Sequence, residues 1–258
     1  MSLAELELFA DERIARITLN HSRRRHALWI ECLTNLTETL QNIAADRNAN
    51  VVIIRAYDPV FSAGYDLHEV VEGDSQEVQA LFQQCSETMR VIRNAPQIVI
   101  AQVSGMVTAT GCQLVGASDL AVASSSAQFA TPGVKIGYFS GAPAVHVTRN
   151  LPRKIAAELL LTGELLSAAD ALRYGMVNRV VDDGEIGEAT LKFARLIARY
   201  SLPVLASGKR LLYQQMELPE DSALNYATIF MALQSASPDA KEGIQSFFAK
   251  RTPRWSDR

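Results

Sequence analysis

Two short apolar runs, each followed by a segment of small residues, constrain the fold of this 258-residue chain most strongly. The runs are VVIIRA at 51–56 and IVIAQV at 98–103, and polar residues do not alternate through either of them. Continuous apolar runs of this length are typical of strands buried on both faces, as in a parallel sheet covered by helices. LAVA at 120–123 and VNRVVD at 177–182 predict further strands. We therefore expect an α/β protein.

Helical patterns separate the predicted strands. The apolar residues between 28 and 43 recur every three or four positions, which predicts an amphipathic helix. DSQE at 74–77 is similar to a capping box with Asp in the Ser/Thr position, and it predicts a helix from there to about Asn94. An N-terminal pair of strands is also expected, because residues 5–9 and 13–19 alternate on either side of an acidic turn.

The last quarter of the chain has helical patterns only. They lie at 186–200, 204–216, 221–235 and 238–249, and prolines separate them. We therefore predict an α/β core over residues 1–195 and a helical C-terminal region over residues 196–258. Because no Gly/Ser-rich linker lies between the two, the helical region is expected to pack on the core or on another subunit.

The overall charge excludes some classes of partner. Lys plus Arg number 25 and Asp plus Glu 28, so the net charge of −3 gives no support to nucleic-acid binding. No stretch approaches the roughly 20 apolar residues of a membrane span. The acidic start of the chain lacks the pattern of a signal or transit peptide, and the three cysteines form no Cys-x-x-Cys pair. These observations favour a cytoplasmic protein with free, buried thiols and no metal site.

Two segments after the apolar runs are candidates for polarising a carbonyl oxygen. In FSAGYDL at 61–67, Gly64 permits a tight turn that would leave the amide of Tyr65 free to face a cleft. In GMVTATGCQL at 105–114, a helix is expected to begin near Thr110, and amides at a helix N-terminus have no intrahelical acceptor. Two such donors would form an oxyanion hole. The alternative is that both segments are ordinary tight joints between a strand and a helix.

These segments and several others resemble the crotonase (enoyl-CoA hydratase/isomerase) superfamily over nearly the whole chain. Within the superfamily, TATGCQL from Thr108 and FATPG from Phe129 are most similar to one subgroup. The other matching stretches are LNHSRRRHAL at 19–28, SDLAVA from Ser118, AQFATP from Ala127, LTG from Leu161 and EGIQSFFAKR at 242–251.

The resemblance implies a spiral of ββα units, a C-terminal helical region used for trimerisation, and a coenzyme A thioester as ligand. It implies no other cofactor. A homotrimer, or a hexamer formed by two trimers, is the expected assembly, and eukaryotic relatives are mitochondrial. By position, Tyr65 and Thr110 match the two oxyanion-hole residues, although the second is usually glycine.

Two catalytic positions depart from the family pattern. Hydratases of the family use two glutamates to handle the protons of a water molecule. Gln113 occupies the position of the first glutamate and Gly133 that of the second. Glutamine can hold a water by hydrogen bonds but cannot accept its proton, and glycine offers no side chain. Because general acid–base catalysis contributes roughly 10²–10⁴-fold, we expect hydration to be very slow.

Further residues match ligand-contacting positions of the family. Arginines at 23–25 would suit coenzyme A phosphates, although a run of charge can equally be solvated surface. Asp66 is common in the family mainly as a turn-stabilising group, and His68 lies where many relatives have a lysine. The full set of predicted substrate-binding residues is Arg23, Arg24, Arg25, Ala27, Ala63, Asp66, Leu67, His68, Val107, Gly111, Pro132, Tyr138, Phe247 and Lys250.

Three functions remain open at this point. One is an enolate-stabilising enzyme similar to enoyl-CoA hydratase. Another is a protein that binds coenzyme A thioesters without catalysis. The last is a different crotonase reaction, such as thioester hydrolysis or decarboxylation, which can need fewer acid–base groups.

Overall fold

Two mainly parallel sheets organise the computed structural model, which describes residues 3–57 and 59–256. The larger sheet has the order β1-β2-β3-β5-β7-β10, and its strands are β1 (Ala4–Phe9), β2 (Ile14–Leu19), β3 (Val51–Ala56), β5 (Ile98–Val103), β7 (Leu120–Ser124) and β10 (Arg179–Val181). The smaller sheet has the order β4-β6-β8-β9, with β4 (Val60–Ser62), β6 (Met106–Thr108), β8 (Gln128–Ala130) and β9 (Leu166–Ser167). Only β1 with β2, and β8 with β9, pair antiparallel.

Helices follow pairs of strands and then occupy the C-terminal part of the chain. They are α1 (Ile30–Asp46), α2 (Leu67–Glu72), α3 (Ser75–Asn94), α4 (Thr110–Ala117), α5 (Gly141–Asn150), α6 (Arg153–Thr162), α7 (Ala168–Tyr174), α8 (Ile186–Ala198), α9 (Leu202–Gln215), α10 (Glu220–Ser235) and α11 (Pro238–Phe248).

A repeating unit of two strands and a helix places the site. β3 leads into β4 and then α2, β5 into β6 and then α4, and β7 into β8 and then α5. The first strand of each pair belongs to the larger sheet and the second to the smaller one. The joint between β5 and β6 requires Gly105, whose φ is +65° and where a Cβ would lie 1.9 Å from the Pro59 carbonyl oxygen. The smaller sheet therefore brings the N-termini of α2 and α4 close to each other.

The apolar runs are buried on both faces, as their composition predicts. In β3, Val52 and Ile54 belong to the core shared with α1 and α3, whereas Val51 and Ile53 face α8. Successive side chains of a strand point to opposite faces, so a strand between two helical layers needs apolar residues at every position.

Most of the predicted elements are confirmed. The capping box of Asp74 and Glu77 is present and α3 ends at Asn94. The four C-terminal helices lie within a few residues of their predicted bounds. β10 is shorter than predicted, and the strands of the smaller sheet have only two or three residues, too few for a periodic pattern. The predicted boundary after residue 195 lies inside α8, and the division into two parts stays a prediction.

Helix α9 is tied to the core by a buried ion pair. The Lys209 ammonium lies 2.7 Å from Asp119, and it also donates to the carbonyls of Ile92 and Gln97 at 2.9 Å. The Tyr213 hydroxyl donates to the same aspartate at 2.7 Å. Because every proton of the ammonium has an acceptor, this buried charge is compensated.

Helices α10 and α11 leave much apolar surface open. α10 has no buried residue. Exposed apolar side chains on the two helices are Leu224, Ile229, Met231, Leu233, Ile244, Phe247 and Phe248. None of the helices within residues 3–57 and 59–256 is long and apolar enough to cross a membrane.

Candidate active site

The segment between β4 and α2 is held in place by backbone pairing with residues 25–28. The amide of Ala63 donates to the Arg25 carbonyl at 3.0 Å, and the amide of Leu28 donates to the Gly64 carbonyl at 2.7 Å. A trans peptide directs its N–H opposite to its carbonyl. The amide of Tyr65, which shares a peptide with the Gly64 carbonyl, therefore points away from Leu28 and has no acceptor among the described residues.

Gly64 brings this segment against the start of α4. Its φ is +86°, and a Cβ there would lie 2.9 Å from the Ala109 Cβ and 3.2 Å from the Thr110 nitrogen. Glycine alone has both the freedom for this φ and the space for this approach. The two segments singled out in the sequence are thus in contact, with the amides of Tyr65 and Thr110 close together.

A strained residue, Ala109, directly precedes helix α4. Ala109 has φ 50° and ψ −112°, and its amide donates to the Ala130 carbonyl at 2.9 Å. Its carbonyl accepts from the Gln113 amide at 3.2 Å, which starts the helical ladder. The amides of the first turn, including that of Thr110, have no intrahelical acceptor and carry the positive end of the helix dipole. A non-glycine residue at positive φ costs free energy, and such residues cluster at functional sites.

An apolar cavity of about 240 Å³ adjoins Tyr65 and Thr110. Its wall includes Ala63, Phe82 and residues of the 132–143 segment. No Asp, Glu, Lys, Arg or His of the described chain contributes to this wall. A neutral, apolar group is the occupant that such a wall accommodates best.

A second, more polar groove of about 850 Å³ meets the apolar cavity. Ala63, Tyr65 and Leu67 line both. The groove is lined further by Arg23, Arg24, Arg25, Ala27, Asp66, His68, Glu69 and Glu72. A ligand with a charged part and an apolar part could therefore lie across the two amides.

The three arginines of the groove differ in their surroundings. Arg24 lies 3.0 Å from Asp66 and 5.1 Å over the Trp29 ring. No ion pair involves Arg23 or Arg25 in the part of the chain that the structure describes. Asp66 also caps α2 by accepting from the His68 amide at 3.0 Å. The structure therefore leaves two guanidinium groups for an anionic ligand and gives Asp66 a structural task.

Gln113 lies behind the cavity rather than on its wall. It is 2% exposed, and the Cys85 thiol donates to its Oε1 over 3.8 Å. Tyr65 and Thr110 do line the cavity, and the buried hydroxyl of each lacks a hydrogen-bond partner among the described residues.

The buried thiols of Cys85 and Cys112 and the phenol of Tyr65 stay protonated at neutral pH. Burial raises the pKa of Cys85 to about 11 and that of Cys112 to about 12. Burial also raises the pKa of Tyr65 well above its usual range, and nearby Cys85 adds to the rise. Thr110 offsets a little of it, although its hydroxyl is outside hydrogen-bonding geometry. The predicted buried-thiol role of the cysteines fits these shifts.

Backbone fills the space beside Gly133, the predicted position of the second glutamate. A Cβ at Gly133 would lie 2.0 Å from the Tyr138 carbonyl oxygen and 2.9 Å from the Ser140 Oγ. No side chain fits there without movement of the 137–140 segment.

The remaining predicted site residues fall into three groups. Pro132 and Tyr138 line the apolar cavity. Val107 and Gly111 are buried in β6 and α4, away from its wall. Phe247 and Lys250 line neither the cavity nor the groove within this chain, and Phe247 is 79% exposed.

Several cavity residues were missed from the sequence, namely Phe82, Ile136, Phe139 and Ser140. The run IGYFSG at 136–141 gave a signal, because it combines bulky apolar residues with glycines just after FATPG. Phe82 is one of many apolar residues on α3 and carried no such signal. Within residues 3–57 and 59–256, no three His, Cys, Asp or Glu side chains are grouped to hold a metal ion.

Comparison with known proteins agrees with this geometry. A family model described as enoyl-CoA hydratase/isomerase matches residues 10–258. The chain is 43% identical over 249 residues to enoyl-CoA hydratase domain-containing protein 3, mitochondrial, of Mus musculus, covering 94% of this chain and 81% of that protein. This is the subgroup that TATGCQL and FATPG indicated.

Solved structures have the same fold. The crystal structure of human enoyl-CoA hydratase domain-containing protein 3 has a TM-score of 0.94 and 39% identity, over 98% of this chain and 100% of that one. An enoyl-CoA hydratase of Mycobacterium smegmatis has a TM-score of 0.95 and 36% identity, with 99% of each chain covered. The predicted fold class, a crotonase-like α/β core with a helical C-terminal region, is confirmed.

Proposed function

The chain belongs to the enoyl-CoA hydratase/isomerase family, and from that premise we propose that it binds an acyl thioester of coenzyme A and polarises its carbonyl group. The carbonyl oxygen would accept hydrogen bonds from the amides of Tyr65 and Thr110. The acyl group would occupy the apolar cavity, and the phosphates would lie near Arg23 and Arg25.

One observation supports this proposal: Gly64, which precedes Tyr65, lies against the Thr110 nitrogen at the point where an apolar cavity meets an arginine-lined groove. An acyl-CoA has the same order of parts, with an apolar chain, a thioester and a phosphate-bearing nucleotide. A preorganised donor of this kind typically lowers the barrier to an enolate by about 3–4 kcal/mol. The site is therefore suited to reactions in which negative charge develops on the thioester oxygen.

Binding can be tested with a proline substitution that removes one donor. Thr110 is the first residue of α4, a position where proline is tolerated in a helix. Thr110→Pro lacks the amide N–H, whereas Thr110→Gly keeps it and serves as the matched control. Calorimetry with acetyl-, crotonyl- and long-chain acyl-CoA should show weaker binding by Thr110→Pro alone, with circular dichroism to confirm folding. Absence of binding to all three by the unaltered protein would refute the proposal.

We expect hydration of enoyl-CoA to be very slow. Water must lose a proton as it attacks, and the cavity wall has no carboxylate or imidazole to accept it. Loss of the enoyl-thioester absorbance of crotonyl-CoA measures this step. A rate well above that of Gln113→Ala would show that Gln113 supports hydration after all.

Decarboxylation is the second candidate reaction, and the uncharged wall favours it over thioester hydrolysis. In a malonyl-type thioester, the bond between Cα and the carboxylate breaks, CO₂ leaves, and its electron pair passes to the carbonyl oxygen as an enolate. The enolate then takes a proton from water. This route needs an oxyanion hole and no general base, whereas hydrolysis needs an activated water. Mass spectrometry of products from a panel of acyl-CoA thioesters distinguishes the two.

We also propose that α10 and α11 pack against other copies of the chain, in a homotrimer or a hexamer of two trimers. Their exposed apolar side chains support this, since Leu233 is 72% and Phe248 77% exposed. Phe247 and Lys250 would then approach the groove of a neighbouring copy. Light scattering after size-exclusion chromatography measures the mass, and Leu233→Glu should lower it. A monomer at micromolar concentration would contradict the assembly.

A further inference from the structure

Phe82 stands between two cavities that are otherwise separate. It lies on α3 and lines the apolar cavity of about 240 Å³ beside Tyr65 and Thr110. It also lines a groove of about 530 Å³ along the outer face of α3, with Val78, Gln79 and Ser86. No other described residue contributes to both. Phe82 is therefore the described residue that borders both spaces.

Neighbouring rings hold Phe82 in this place. Its ring centroid is 5.0 Å from that of Tyr65, in a tilted arrangement, and 6.4 Å from that of Tyr138, in a stacked one. Both tyrosines line the apolar cavity but not the α3 groove. Aromatic pairs at these distances stabilise one another. The three rings form one aromatic cluster on the cavity side, and Phe82 is the member of it that also borders the groove.

We propose that Phe82 determines the length of acyl chain that the protein accepts. This inference rests on the proposed binding of acyl-CoA. A chain that grows along the apolar cavity gains about fourfold in affinity for each methylene it buries. Once the chain reaches the Phe82 ring, further methylenes find no space and the gain stops.

Removal of the ring would join the cavity to the α3 groove. The groove is lined by the apolar side chain of Val78 together with the polar side chains of Gln79, Gln83 and Arg90. A longer chain could then bury a few more methylenes against Val78 before it meets polar surface and water. The specificity of Phe82→Ala should shift to longer chains by that limited amount.

The test measures the affinity of saturated acyl-CoA thioesters from two to sixteen carbons by calorimetry. The unaltered protein should gain affinity with each methylene up to a limiting length, and Phe82→Ala should reach its limit two to four methylenes later. Phe82→Leu keeps an apolar branched side chain and should give an intermediate limit, which guards against poor folding of the alanine variant.

Gln83→Ala is the matched control. Gln83 follows Phe82 on α3, is exposed, and lines the α3 groove but not the apolar cavity. Its limit should therefore equal that of the unaltered protein. If the limit is unchanged in both Phe82 variants, or moves equally in Gln83→Ala, the role of Phe82 is refuted while acyl-CoA binding stands. If the unaltered protein binds no thioester, both proposals fail.

Discussion

The backbone amide of Thr110 belongs to the candidate site, whereas its side chain lowers the free energy of unfolding. The residue is fully buried and its hydroxyl has no hydrogen-bond partner. A buried unsatisfied hydroxyl typically costs about 1–3 kcal/mol. Glycine at this position would avoid that cost but would also leave space beside Tyr65.

We predict that Thr110→Val increases the free energy of unfolding by about 1 kcal/mol, because a methyl group of the same shape replaces the unsatisfied hydroxyl. Urea denaturation at neutral pH measures the change. Thr110→Ser, which keeps the hydroxyl and loses the methyl group, should be less stable than the unaltered protein. A destabilised valine variant would mean that the hydroxyl has a partner.

At Gly133, close backbone contacts limit the size of the side chain that the position can hold. Gly133→Ala should lower the free energy of unfolding by about 1–3 kcal/mol, because its Cβ would collide with the Tyr138 carbonyl oxygen. Thermal unfolding measures this effect. The control is Gly208→Ala in α9, where a Cβ meets no atom within 4 Å and alanine favours the helix. Equal stability of the two variants would argue against the close contact.

At the scale of elements, the packing of α5 on α4 buries an uncharged histidine. A Cβ at Gly116 on α4 would lie 3.1 Å from the His146 Cβ, so the two helices meet closely at this point. The Nδ1 atom of His146 is buried without a partner. Burial lowers its pKa to about 4, and the charges of Arg93 and Arg149 add to the shift. The helix pair is therefore sensitive to acid.

Whether acid raises or lowers the stability depends on which state, folded or unfolded, binds the proton more tightly. The pKa of His146 is lower in the folded state than its unfolded value near 6.5, so the unfolded chain binds the proton more tightly. Stability is complete above pH 6.5 and falls as the pH drops towards 4. The pKa values of His21 and His26 are lowered by burial too, so they act in the same direction.

We predict that His146→Leu loses less stability than the unaltered protein between pH 7.5 and pH 5, by on the order of 1–2 kcal/mol after allowance for solvent screening. Urea denaturation at the two pH values gives the difference. His68→Gln is the control, because the side chain of His68 is 85% exposed. An identical pH dependence in the leucine variant would exclude His146 as a source of the acid sensitivity.

At the scale of the whole molecule, a buried ionic contact joins α9 to the α/β core. Asp119 precedes β7 and accepts from Lys209 and Tyr213 on α9 and from the Val99 amide on β5. Both charged side chains are almost fully buried, at 9% and 3% exposure. The position of α9, and of the helices after it, therefore depends on this contact.

We predict that Asp119→Asn lowers the free energy of unfolding by about 3–5 kcal/mol, since it leaves a buried ammonium without its counter-charge. Chemical denaturation measures the loss. Glu164→Gln breaks the exposed pair with Lys135 and should cost about 1 kcal/mol or less. Similar losses in the two variants would mean that the Lys209 site is open to water.

Local patterns in the sequence were sufficient to predict most of the strands and helices. Continuous apolar runs such as 51–56 define buried strands, and the Asp74 capping box defines the start of α3, because both signals depend only on neighbouring residues. The strands of the smaller sheet were not predictable. Pairing with distant strands stabilises β4, β6 and β8, and two or three residues carry no periodicity.

The features of the candidate site also separate into those that the sequence predicted and those that only the structure located. By itself the sequence determined the fold family and the buried cysteines, since these are matters of residue type and spacing. The oxyanion role of the two segments and the loss of two catalytic glutamates stay predictions. Only the tertiary structure decided that Gly64 lies against the start of α4, that Gln113 lies off the cavity wall, and that backbone fills the space at Gly133. It alone placed Phe82 between two cavities. The physical reason is that access and convergence depend on atoms brought together from distant parts of the chain, which no local pattern encodes.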